Sequence, residues 1–168
     1  MKTIFLLFAA LVIGISSHAQ EQTPPPALQF NNEIVKITDS LFIMGQAWGN
    51  AFKKANQTKE FKLLTEPREK LDLFLQSRLA ALRKQADVGV DGKELREAMI
   101  RFLEFEQNLF KEAFLPFEKL DANSTQEAIN AVIEKLKSSV TQERDEIAKL
   151  QEVQAAYGKK NGFTIQGN

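Results

Sequence analysis

The chain holds 168 residues, sets 22 Lys and Arg against 22 Asp and Glu, and contains one histidine and no cysteine. That histidine, His18, lies in a segment that reads as a removable leader, so what remains has neither imidazole nor thiol; most nucleophilic catalysis and nearly all zinc, copper and haem ligation go with them. The balanced charge speaks against a nucleic-acid or anionic-membrane partner, because both need a basic excess on one face.

Met1–Ala19 has the pattern of an export signal: one cation (Lys2), an apolar run from Ile4 to Ile15, and Ser16-Ser17-His18-Ala19, whose small residues suit a cut before Gln20. The run is about twelve residues, short of the roughly twenty that span a bilayer. No second long apolar run follows, so no membrane span is expected after cleavage. Glutamine rather than cysteine follows the cut, which leaves no site for an N-terminal lipid anchor. Removing Lys2 leaves 21 basic against 22 acidic residues. The expected product is exported, either periplasmic or secreted. Without cysteine it has no disulfides, but a chain of this size can bury a core large enough to stand alone.

Residues 20–28, with Pro24, Pro25 and Pro26, read as an extended tether. A bundle domain is expected over 29–163, with 164–168 as a tail. Phe30, Ile34, Ile37, Leu41, Met44, Trp48, Phe52 and Ala55 recur at threes and fours, which predicts a first helix over 29–57. Within it Gly45 and Gly49 form a Gly-x-x-x-Gly pair, expected to admit a neighbouring backbone. Thr65 is placed as a cap with Pro67 near the first position of a second helix, which Leu71, Phe74, Leu75, Leu79 and Leu82 carry to Ala86.

Asp91 and Glu94 have capping-box spacing and open a third helix, whose stripe is Leu95, Met99, Phe102, Leu109, Ala113 and Phe117. Pro116 predicts a kink or a short final turn to Leu120, since an interior proline loses a hydrogen bond. Ser124 and Glu127 repeat the box before a fourth helix carried by Ile129, Ile133, Leu136, Val140, Ile147, Leu150 and Tyr157, with Glu143 and Gln154 in core register. Gly158 or Gly162 ends it, with Phe163 as the apolar partner of the glycine cap. Four amphipathic helices with short connections predict an all-α fold, an antiparallel bundle of four long helices with a kinked third.

The residues that stand out chemically are few. Five of the thirteen phenylalanines lie between Phe102 and Phe117. With Trp48, the residues Phe102, Phe105, Phe110, Phe114 and Phe117 are a candidate binding or packing face, for which a helical core is the simplest use and an apolar ligand cavity the functional one. Arg78, between Leu75 and Leu82, and Glu143, between Val140 and Ile147, are a candidate buried polar pair. The other carboxylates of helices three and four (Glu104, Glu106, Glu112, Asp145, Glu146 and Glu152) read as solvated faces. A di-iron bundle needs Glu-x-x-His motifs, which a chain without histidine cannot supply. No catalytic residue, metal ligand or cofactor site is expected.

Three segments, "NNEIVKITDSL", "RFLEFEQNLFKEAF" and "QAAYGKKNGFTI", together resemble a family of uncharacterised exported helical proteins of bacteria, some of them described as surface proteins. The resemblance implies a helical fold and export and transfers no active residues. The expectation is thus a non-enzymatic exported bundle that binds another protein or itself. The alternative is a carrier or chaperone-like binder that holds apolar ligands through the Phe-rich third helix.

Overall fold

The computed structural model describes residues 24–165. The expected leader, residues 20–23 of the expected tether and residues 166–168 of the expected tail lie outside them. Helix α1 spans Pro26–Thr58 and begins before residue 29, because Pro26 occupies its first turn, where a missing N–H leaves no bond unmade. It ends at Lys59, which takes the left-handed conformation with φ 63°. Its buried stripe is Phe30, Ile34, Ile37, Leu41, Trp48 and Ala55, as the periodicity predicts, while Met44 and Phe52 sit at its edge. Gly45 is buried. A Cβ on Gly49 would meet nothing within 4 Å, so no backbone approaches there and the expected close contact fails at the second glycine.

A short 3-10 turn, Phe61–Leu64, drops Phe61 and Leu64 into the core before α2, Thr65–Lys84. Thr65 does not cap this helix. It lies inside the first turn, and its hydroxyl donates to Glu118 Oε2 at 2.8 Å. Helix α3, Gly92–Leu109, follows Asp91 in the left-handed conformation (φ 60°) with no side-chain cap. In place of the capping box, the Asp91 carboxylate pairs with Lys160 from the far end of the chain.

The expected disturbance at Pro116 is spread over two segments. Proline has no N–H and its ring crowds the carbonyl four residues back. The helix therefore loosens to a π turn over Phe110–Phe114, where the Leu115 N–H bonds to the Phe110 carbonyl, and then tightens to a 3-10 turn over Leu115–Lys119. Helix α4, Gln126–Lys160, is capped one residue later than expected: Thr125 accepts from the Ala128 N–H at 3.2 Å. Ser124 bonds back to Asp121 instead.

The C-terminal end of α4 matches its expectation closely. Gly162 is left-handed (φ 78°), the Phe163 N–H returns to the Gly158 carbonyl at 3.0 Å, and the Phe163 ring lies edge-on to Tyr157 at 5.9 Å. This is the Schellman arrangement, with its apolar contact in place.

Successive helices run antiparallel and pack α1 on α2, α2 on α3 and α3 on α4. Helix α1 meets α4 through Phe30 against Tyr157, edge-on at 6.1 Å, and through a buried hydrogen bond from Gln154 to Asn31. At the opposite end of α1 an aromatic cluster closes the core. Trp48 stacks on Phe114 at 4.0 Å and on Phe52 at 5.4 Å, and Phe117 meets both Trp48 and Phe52 edge-on. Arg68 of α2, bonded to Glu118 and to Asp72, ties this end to the 3-10 turn after α3.

Candidate functional site

The phenylalanines singled out by composition belong to the core. Phe102, Phe110, Phe114 and Phe117 are buried with Trp48, and Phe105 is half-buried against them. Trp48, Phe52, Phe110, Phe114 and Phe117 pack ring against ring, with centroids 4.0–5.9 Å apart. The Trp48 indole N–H finds no acceptor among the described residues.

Arg78 and Glu143 do not meet. Arg78 is exposed at the edge of the α2 stripe and turns toward α1, with its guanidinium 5.1 Å from the Phe74 ring centre, a cation–π contact. A long cationic side chain at a stripe edge reaches water more cheaply than it enters a core, which is why the expected pair is absent. Glu143 does point inward and is only 4 % exposed. What it faces is Glu106 of α3.

Glu106 corrects the reading of this helix's carboxylates as solvated, because it has no exposed surface. It continues the stripe of Met99, Phe102, Leu103 and Leu109, and the gap in that stripe between Phe102 and Leu109 was the available signal. Neither Glu106 oxygen has a hydrogen-bond partner, and neither has Glu143 Oε1. Burial raises the Glu106 carboxyl well above the usual range, and the neighbouring Glu143 charge raises it further. Burial pushes Glu143 up to about 7, against the pull of Arg144 beside it. Both shifts favour the protonated forms, so the carboxyls of the α3/α4 seam ionise less readily than free ones. Glu106 is wholly enclosed in the folded bundle, and Glu143 nearly so.

An accessible concavity among the described residues lies elsewhere, between α1 and α2. A groove of about 400 Å³ is lined on the α1 side by Glu33, Lys36, Ile37 and Ser40, and on the α2 side by residues from Phe74 to Gln85 that include Arg78 and Leu82. Ile37 and Leu82 form an apolar floor, with Phe74 under the Arg78 guanidinium and Glu33 and Lys36 as charged lining. Ile43 follows Lys36 and Ser40 on one helical stripe and is 64 % exposed. Ile43 thus lies beyond the groove lining on the same stripe of α1 as Lys36 and Ser40.

The segment "YGKKNGF" has a structural task. The Tyr157 hydroxyl donates to the Val88 carbonyl at 2.7 Å, and Asn161 both accepts from the Val90 N–H and donates to the Val90 carbonyl, each at 2.9 Å. With Lys160 on Asp91, these bonds latch the α2–α3 loop to the end of α4. Gly89 (φ 72°) is obligatory in that latch, since a Cβ there would lie 2.4 Å from Asn161 Oδ1.

The geometry defines an all-α bundle of four packed helices. No family model, no curated protein and no solved structure matches the chain. Among the described residues no helix is long and apolar enough to cross a membrane, and no cluster of His, Cys, Asp or Glu is arranged to hold a metal ion.

Proposed function

We propose that this chain is an exported, non-enzymatic bundle that works by binding another protein through the α1/α2 groove. The observation that carries this reading is the groove itself. It offers an apolar floor for one anchoring side chain, an arginine already stacked on an aromatic ring, and an exposed isoleucine continuing the same face. Interfaces draw their energy from such arginine and aromatic positions set beside a small pocket. Lys36 and Arg78 outnumber Glu33 along the groove, which favours a partner carrying an acidic group next to its apolar anchor. Export rests on Lys2, the apolar run from Ile4 to Ile15 and the small residues before Gln20. It places the partner in the periplasm or at the cell surface. The carrier alternative draws little support from Phe102, Phe110, Phe114 and Phe117, which are buried in the core.

The test is a photo-crosslinking amino acid at Ser40 in the native host, compared with the same probe at the exposed Ser77. One discrete heterologous adduct at Ser40, absent at Ser77 and lost with Phe74→Ala or Ile43→Asp, is the expected result. Equal adducts at both positions, or none at Ser40, refute the groove as the binding face. An adduct of the chain with itself, with a sedimentation dimer that Ile43→Asp dissolves, replaces the heterologous partner with a second copy.

A further inference from the structure

Helix α4 is held very unevenly along its length. Between Gln126 and Lys149 only Leu136 and Glu143 are buried; beyond that point Leu150, Gln154, Tyr157 and Gly158 are buried in quick succession. The far end is also latched through Tyr157, Lys160 and Asn161 to the α2–α3 loop. The near end rests on half-buried Ile129, Val132 and Ile133 and on one exposed ion pair, Lys135 with Glu112 of the π turn. Segments with few buried apolar contacts open before the rest of a domain does.

Glu143 lies at the boundary between the lightly held and the firmly held parts. It faces the fully enclosed Glu106, four residues before the α3 ladder loosens into the π turn. We propose that this carboxyl pair is a proton-controlled latch: protonated, it keeps the first half of α4 on α3, and its ionisation releases residues 126–142 as a unit while the end of α4 stays docked. With both Glu106 oxygens and Glu143 Oε1 unpartnered inside the seam, the closed core favours the protonated, uncharged forms.

The surrounding charges do not relieve the pair. Arg144 on α4 is the cation that acts on Glu143, and it is exposed. On α3, Glu104 is engaged by Arg83 of α2. On α2, Arg68 is committed to Asp72 and Glu118. From the π turn, Glu112 is committed to Lys135. On α1, Lys36 and Glu33 line the α1/α2 groove, and Asp39 is itself raised by partial burial. The proposal stands independently of the binding reading of that groove.

The sign follows from which form each state prefers. Closed, Glu143 titrates at about 7; released into water it returns to the usual 4.5. Closure is therefore fully favoured below about pH 4.5 and weakens as pH rises toward 7. Each unit between those values changes the opening equilibrium about tenfold, so between pH 5 and pH 8 it shifts toward the open form roughly a hundredfold.

Hydrogen exchange followed by mass spectrometry on the intact chain tests this, with each rate divided by its intrinsic rate at that pH. Protection of 126–142 is expected to fall about a hundredfold between pH 5 and pH 8, while that of 150–160 holds. Glu143→Gln is expected to flatten that dependence, because it removes the group whose titration sets it, whereas Glu106→Gln, which leaves Glu143 buried, is expected to keep most of it. Loss of protection spread evenly over all four helices, no pH dependence in wild type, or full dependence retained in Glu143→Gln overturns the proposal. The wild-type comparison needs no substitution, so it decides even where a variant does not fold.

Discussion

Asn161 and Gly89 provide a test of the loop latch with a defined sign. Asn161→Ala removes three hydrogen bonds, two to the Val90 backbone at 2.9 Å and one to the Tyr157 carbonyl at 2.8 Å. At about 1 kcal/mol each the upper bound is about 3 kcal/mol, and water replaces part of it at this exposed site, which leaves about 1–2 kcal/mol. Gly89→Ala introduces a side chain at φ 72° and a Cβ 2.4 Å from Asn161 Oδ1. Left-handed strain of about 1–2 kcal/mol, with the overlap added, brings the loss to about 2–4 kcal/mol. In the double variant the overlapped oxygen no longer exists. The two losses should therefore sum to about 1–2 kcal/mol more than the double variant suffers. Urea denaturation of the four proteins reads this directly as shifts in midpoint at constant slope. Additivity to within about 0.5 kcal/mol would show that Asn161 does not occupy the space above Gly89, and the latch as described would be wrong.

Other outcomes follow from the same packing. Gly49→Ala, with no atom within 4 Å of the new Cβ, should stabilise the bundle by up to about 1 kcal/mol and raise the thermal midpoint by about 2–4 °C. Phe114→Ala removes the ring stacked on Trp48 at 4.0 Å and should cost about 3–5 kcal/mol, seen in denaturation together with a changed Trp48 emission. Glu143 titrates in the folded state at about 7 against 4.5 in the unfolded chain, so it opposes folding increasingly from pH 4.5 upward. Relative to Glu143→Gln, the wild type should lose about 3 kcal/mol across that interval, measured as the difference between their stability–pH curves; a flat difference would place Glu143 in water.

The four helices were legible because each carries a long stripe at helical period, and burial of Phe30, Leu41, Leu75, Met99 and Tyr157 follows that period directly. The glycine end of α4 was equally legible, since Gly162 and Phe163 specify both its backbone turn and its apolar contact. The starts of the helices were not. Thr65, Asp91 and Ser124 all have capping chemistry, but each finds a partner that local spacing does not reveal: Glu118, Lys160 and Asp121. Two of those three partners are distant in sequence. The same limit hid the carboxyl pair. Glu143 was visible as an acid in core register, whereas Glu106 was read by residue type, and only the packing of α3 on α4 sets one against the other. Arg78 failed in the opposite sense, because its position suggested the core while its length let it leave.

The latch at the end of α4 also bears on the order in which the molecule can be completed. It joins Val88 and Val90 to Tyr157 and Asn161, and Phe30 near the start of α1 packs on the same tyrosine. These are contacts of long sequence separation, and chain entropy must be spent before they give anything back. A nascent chain that has reached only the middle of α4 lacks every one of them. Its first helices can form, but the ring of helices stays open until the stretch through Phe163 has been synthesised. Closure thus waits on the last turns of α4, and until they emerge the first three helices have only one another to pack against.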